Sequence, residues 1–187
     1  MLGRFCRPIN ALPIRSKLVL TFCTVFVPAT LIGVAGLLGV RLNLTNSVPI
    51  GFYIISSSPE SGLVEFCPPE PFATLSRERG YRERSRFGCP DGAKPLLKPI
   101  AARSGDIVSI SATGIAVDGK LVPHTTALHR DSAGRPITPW AFGIYTVRDG
   151  TIWVASSFNT HSFDSRYFGP IPESVILHHL TPLWTSE

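Results

Sequence analysis

A mainly β, antiparallel domain behind one membrane-spanning helix is the fold class this sequence predicts, and three observations predict it. Residues 18–40 form a stretch of 23 residues without a charged side chain. The 187 residues include 17 Pro and 16 Gly, which favour short strands and many turns over long helices. After residue 41 no amphipathic helix longer than three turns is legible, whereas Asp-Gly pairs sit between short apolar runs. With 44% hydrophobic residues, the chain is too apolar for intrinsic disorder.

The apolar stretch comes first. At about 1.5 Å per residue, Leu18 to Val40 reaches roughly 35 Å, enough to cross a hydrocarbon core of about 30 Å with some tilt. Thr21, Thr24 and Thr30 can bond back to helix carbonyls, and Pro28 can kink the helix. A cleavable signal peptide is the alternative, but its apolar core runs to only about 7 to 15 residues and ends at a small-residue site. An uncleaved anchor is therefore expected. Arg4, Arg7, Arg15 and Lys17 precede it with no acidic residue, so residues 1–17 are expected to stay in the cytoplasm. Residues 41–187 would then cross the membrane, into the periplasm in a bacterium. That exported part carries 14 basic and 13 acidic groups, too even a balance for a nucleic-acid-binding face.

Cys67 and Cys89 are the two cysteines of the exported part and are disulfide candidates, with two free thiols as the alternative. No second cysteine or histidine stands at a short ligand spacing from either, which disfavours zinc. Ile107 to Ser111 reads as a strand, and Asp118-Gly119 as the turn of a hairpin between Ile115–Val117 and Lys120–Val122. A second hairpin is expected between Ile144–Val147 and Thr151–Ala155 around Asp149-Gly150. The run RERGYRERSR at 77–86 reads as a solvated loop, with a docking patch for acidic groups as the alternative. Trp140, Trp153 and Trp184 are expected in the core, unless they seat the domain at the membrane interface.

Chemistry has few candidates. The five histidines show no HExxH spacing, and neither a GxSxG elbow nor a phosphate-cradling glycine loop is present. The segment NLTNSVPIGFY, residues 43–53, sets Ser47 beside Pro49 and Gly51, which restrict and bend the backbone enough to hold a hydroxyl in one orientation. A nucleophilic serine needs a base. Of the four lysines, Lys17 lies on the other side of the predicted span, while Lys94 and Lys120 stand in polar surroundings. Lys98 is flanked by Leu96, Leu97, Pro99, Ile100, Ala101 and Ala102, and desolvation lowers an ammonium pKa, as a lysine base requires. A lysine snorkelling from a strand to solvent is the alternative.

Ser47 in NLTNSVPIGFY, Lys98 in LLKPIAARSGDIVSI and Ser162 to Pro170 in SFDSRYFGP stand in an order and spacing that resembles the conserved boxes of bacterial type I signal peptidases. The likeness is nearest to the conjugative-transfer, TraF-like branch, whose first box reads Ser-x-Pro-x-Gly-x-Tyr. One departure is Ser104, where the turn before Gly105-Asp106 usually carries proline. The resemblance implies a signal-peptidase-like antiparallel β catalytic domain with a Ser47/Lys98 dyad and no cofactor or metal. It places oxyanion donors at the Ser47 backbone N–H and the Thr45 hydroxyl, and has Ser162 orient the Lys98 amine. Asp164 and Arg166 become a supporting ion pair, of small energetic weight if exposed. The implied substrate is a membrane-tethered precursor protein, most simply a conjugative pilin, cleaved or cyclised at the bilayer beside components of the secretion apparatus. A general secretory signal peptidase, and a catalytically silent docking module, are the alternative readings.

Overall fold

The computed structural model describes residues 13–186. Arg4, Arg7 and Cys6 of the basic flank lie outside the described residues. The chain divides between Val40 and Arg41 into two compact units.

The first unit is a helix over Ile14–Leu37, long and apolar enough to cross a membrane. It begins before the uncharged stretch because helix propensity extends past the hydrocarbon boundary, and Arg15 and Lys17 are good helix formers. It stops where Gly39 turns left-handed at φ 84° and its N–H bonds back to the Gly36 carbonyl. Proline at 28 lacks the N–H that a regular helix would offer to the Thr24 carbonyl, and a π-helical stretch, Phe22–Phe26, lies immediately before it. The Thr24 and Thr30 hydroxyls bond back to the Leu20 and Phe26 carbonyls at 2.7 and 2.8 Å.

The second unit is mainly β. Seven strands form one sheet: β1 (Val40–Asn43), β2 (Gly51–Ser56), β3 (Leu63–Phe66), β4 (Leu96–Ala102), β9 (Thr151–Val154), β10 (Ile171–Pro172) and β11 (Ile176–Thr185), in the order β1-β2-β11-β3-β4-β9-β10. The other four, β5 (Ile107–Ser111), β6 (Gly114–Val117), β7 (Lys120–Leu121) and β8 (Gly143–Thr146), form a smaller sheet in the order β7-β6-β5-β8. All the described pairings are antiparallel. Val64, Phe66, Phe163, Phe168 and Ile171 pack as one core cluster. A second joins Val108, Ile110 and Ile115 of the small sheet to Ala102 and Trp153 of the large one.

Asp118 and Gly119 both adopt positive φ, 48° and 79°, the turn that lets β6 and β7 pair with the right-handed twist of strands. The expected second hairpin does not form. The strands on either side of Asp149-Gly150 exist, but β8 pairs with β5, whereas β9 pairs with β4 and β10. Turn chemistry is local and cannot choose a strand's partner. Burial does: Ile152, Trp153 and Val154 are buried on both faces, as a strand inside the large sheet must be, whereas β8 is an edge.

The expectation for residues 77–86 also needs correction. Arg77, Arg84 and Arg86 are exposed, but Arg82 is buried, its guanidinium bonded to the Ser76 hydroxyl, the Ala73 carbonyl and Asp91. Tyr81 packs against Phe163 with the rings tilted and their centroids 5.1 Å apart, and its hydroxyl donates to Asp131. A run rich in arginine looks solvated until a tertiary carboxylate and carbonyls satisfy one guanidinium inside. Cys67 and Cys89 form a disulfide that closes this segment, with Cα atoms 5.6 Å apart. Trp153 is buried and Trp140 half-buried, whereas Trp184 is exposed and packs only against Phe52 among aromatic rings. The turn with Ser104 in place of proline still closes: the Asp106 N–H bonds the Arg103 carbonyl and Gly105 takes φ 91°.

Candidate active site

Ser47 sits in the turn between β1 and β2, and that turn is held from inside by the last residue of β1. Asn43 is buried, and its amide donates to the carbonyls of Thr45, Val48 and Pro49 at 2.8, 3.2 and 3.1 Å. Three carbonyls around the amide nitrogen fix the orientation of the side chain, so its oxygen must accept; it takes the N–H and the hydroxyl of Thr45, at 3.1 and 2.7 Å. Val48 is buried against Tyr53 and Leu180, and the Tyr53 hydroxyl donates to the Pro49 carbonyl. The serine is thus carried on a backbone with little freedom. Its side chain is 8% exposed, and no acceptor among the described residues takes its N–H.

Lys98 reaches this serine from across the sheet. Strand β4 pairs with β3 so that Lys98 stands opposite Val64, and alternation puts its side chain on the face of Leu96, a core residue. Its Nζ lies 2.5 Å from the Ser47 Oγ and 2.8 Å from the Ser162 Oγ, and the two hydroxyl oxygens are 3.4 Å apart. No carboxylate touches the amine. Burial therefore dominates and pulls its pKa from 10.5 down to about 8; the negative charge of Asp164 opposes this and the positive charge of Arg166 adds to it. At neutral pH roughly a tenth of such an amine is uncharged. Neutral, it can accept a proton from one hydroxyl while donating an N–H to the other.

Asp164 and Arg166 are not an exposed pair on a strand. Both are fully buried at the short helix Ser165–Phe168, where Asp164 caps the N-terminus by accepting the Arg166 N–H. The guanidinium grips the carboxylate through Nε and Nη2, at 2.8 and 2.7 Å. Its remaining N–H groups go to the carbonyls of His124, Thr160, Asn159 and Ser156. One of these, the Asn159 carbonyl, also accepts the Ser162 N–H at 3.1 Å. Burial without loss of polar partners is possible because Asp164 and carbonyls from outside the motif converge on the guanidinium, which the motif alone does not reveal.

Sequence reasoning brought Ser47, Lys98, Ser162, Asp164 and Arg166 forward, and these residues gather in one place. It missed Asn43 and Ser156. Asn43 had a readable signal, since asparagine two residues before a hydroxyl residue favours a local turn. Ser156 had none: its N–H donates to Asp164 at 3.0 Å and its hydroxyl to the Ser47 carbonyl at 2.6 Å, a contact between residues 109 positions apart. Thr45 stands where expected in the turn, but its hydroxyl hydrogen is committed to Asn43, so donating it elsewhere requires rotation and loss of that bond. The cluster opens into a cleft of about 720 Å³, lined by Asn43, Thr45, Leu97, Phe87 and Arg130 among others. Among the described residues no group of three or more His, Cys, Asp or Glu side chains is placed to hold a metal ion.

A serine hydroxyl, a desolvated lysine amine and a second hydroxyl in mutual contact are groups of the kind that acyl transfer uses. The chain belongs to the signal peptidase family, peptidase S26, whose family model matches residues 15–184. It is 35% identical over 158 residues to the plasmid transfer protein TraF of Escherichia coli, covering 83% of this chain and 88% of that one. The conjugal transfer protein TraF of Agrobacterium tumefaciens (strain 15955) is 38% identical over 178 residues, 91% of this chain and 96% of its own length. A crystal structure of signal peptidase I from Enterococcus faecalis V583 aligns with 16% identity and a TM-score of 0.36, over 68% of this chain and 99% of that one.

Proposed function

We propose that this protein is a membrane-anchored serine endopeptidase that matures a secreted precursor, and that the precursor is the pilin of a conjugative apparatus. The observation that carries the reading is the contact of Lys98 Nζ with both the Ser47 and Ser162 hydroxyls in a buried site assembled from three distant segments. In the proposed reaction neutral Lys98 takes the Ser47 proton as the oxygen attacks the scissile carbonyl, and returns it to the leaving amine as the peptide bond breaks. The product is an acyl ester on Ser47. Ser162 holds the amine through the second contact, and Asp164 with Arg166 fixes the loop that carries Ser162. The Ser47 N–H is one donor to the developing oxyanion, an interaction of about 3 kcal/mol; the Thr45 hydroxyl becomes a second donor on leaving Asn43.

The conjugative assignment is supported by the relatives' names, plasmid transfer and conjugal transfer proteins. Membrane anchoring is supported by the Ile14–Leu37 helix. The basic residues before it favour a cytoplasmic N-terminus in the inner membrane and a β unit in the periplasm, with the disulfide in keeping with that oxidising compartment. Exposed Leu42, Leu44 and Phe52, with Trp184, suit a unit working against a lipid surface. The substrate is then a membrane-tethered chain presented at the bilayer, and the apparatus that receives the mature pilin is the implied partner.

Two acceptors can resolve the ester: water, or the amino terminus of the pilin itself, which yields a ring. The test incubates membranes holding the full-length protein with its pilin precursor and weighs the product. Cleavage gives the linear fragment, and ring closure the same fragment lighter by one water. Processing that persists after Ser47→Ala would refute the enzyme reading and favour a docking module.

A further inference from the structure

We infer that Ser156 is a positioning residue for the reaction: its hydroxyl holds the Ser47 peptide in register with the Lys98 amine and ties it to the buried Asp164–Arg166 pair. The inference rests on the peptidase reading and deepens it. Ser156 ends the run of buried residues that leaves β9, and none of its surface reaches solvent. Each of its polar groups is used. The N–H donates to Asp164 Oδ2 at 3.0 Å, and the carbonyl accepts from Arg166 at 3.4 Å. The hydroxyl donates its hydrogen to the Ser47 carbonyl at 2.6 Å and accepts the N–H groups of Phe158 and Asn159 at 3.2 and 3.3 Å.

This is a direct link between the two halves of the site. Asn43 holds the carbonyls of Thr45, Val48 and Pro49 but makes no contact with that of Ser47 itself. Among the described residues the one bond on the Ser47 carbonyl comes from Ser156, which stands on the segment that also delivers Ser162. A peptide plane is rigid, so fixing the Ser47 carbonyl fixes the rotation of the backbone about the serine Cα and hence the direction in which its hydroxyl leaves the chain. Without that bond the Ser47 carbonyl has no donor among the described residues, and the peptide after Ser47 is held only through its neighbours. A displacement of about 1 Å between reacting groups costs on the order of a hundredfold in rate.

Ser156→Ala and Ser156→Thr, in the full-length protein with the pilin precursor, test this. The expected result for alanine is a kcat per folded molecule reduced roughly tenfold to a hundredfold, with KM nearly unchanged and the pH midpoint of the rate where the wild type has it. Threonine, which keeps the hydroxyl, should recover most of the loss. An unchanged kcat with a lowered melting temperature means that the residue is only structural, and overturns the inference; so does threonine as impaired as alanine in its folded fraction. Ser47→Ala is the control. If it still processes the precursor, the peptidase reading falls and takes this inference with it; an inert Ser47→Ala beside an unimpaired Ser156→Ala overturns this inference alone.

Discussion

The two sheets of the β unit are built from pairings of different reach. In the small sheet β5, β6 and β7 follow one another through tight turns, each meeting the strand it has just left, and β8 returns to the far side of β5 from later in the chain. In the large sheet β11 pairs with β2, joining Trp184 to Phe52, and with β3, joining Leu180 to Leu63. The groups proposed to react all belong to the large sheet or its connections: Lys98 in β4, Ser47 in the turn before β2, and Ser162 after β9. The three-strand meander of the small sheet is sequence-local, whereas long-range pairing brings together side chains that no stretch of chain contains. Damage to the two sheets should therefore separate, with stability alone suffering in one and activity in the other.

The largest expected effect is on Ser47 and Lys98. Ser47→Ala and Lys98→Arg should each lower precursor processing by on the order of 10⁴-fold or more, the arginine because its guanidinium stays protonated. Processing by the arginine variant near the wild-type rate would remove Lys98 as the base. With the Lys98 pKa near 8, kcat/KM should climb with pH as the amine loses its proton and level off above that value, a profile read directly from rates.

Next is Asp164→Asn, which leaves the buried Arg166 charge without its carboxylate and should cost about 3–5 kcal/mol in a denaturant titration. A smaller but signed effect attaches to Lys98 itself. Its folded pKa of about 8 lies below the ordinary 10.5, so between these values the unfolded chain binds a proton that the folded one does not. Stability should thus rise with pH across that window, by up to about 3 kcal/mol, and Lys98→Met should flatten the rise. Reduction of the Cys67–Cys89 bridge, which spans 22 positions, should cost about 3 kcal/mol, seen as a lower denaturation midpoint. The smallest effect belongs to the small sheet. Gly119→Ala, at φ 79° with open space around it, should cost about 1–2 kcal/mol and leave kcat unchanged; a fall in kcat would show that the two sheets are not separable.

The apolar helix, the Asp118-Gly119 hairpin and the candidacy of Ser47 and Lys98, which the structure brings into buried contact, were legible in the sequence, because each depends on a local signal: a run without charge, a turn dipeptide, a proline near a serine, apolar neighbours beside a lysine. The 151–154 strand was legible as a strand, but not its partner, since Asp149-Gly150 makes a turn whichever sheet receives the chain. Arg82 was misread, and the burial of the Asp164–Arg166 pair went unread, for one reason. A guanidinium is buried when carbonyls and a carboxylate converge on it, and those of Arg166 come from residues 124, 156, 159, 160 and 164.

What the sequence by itself determined, then, is the apolar helix, the strands around the Asp-Gly turns, and which side chains have the chemical character proposed for the site. What only the tertiary structure decided is the environment of those side chains: a lysine amine buried beside two hydroxyls, a Ser47 turn clamped by Asn43 and bonded by Ser156, and an ion pair held in the interior. Propensity and turn preference act over a few residues and can be read along the chain. Desolvation and hydrogen-bond satisfaction depend on which atoms meet in space, and for Ser47 and Ser156 that meeting is made by strands distant in sequence.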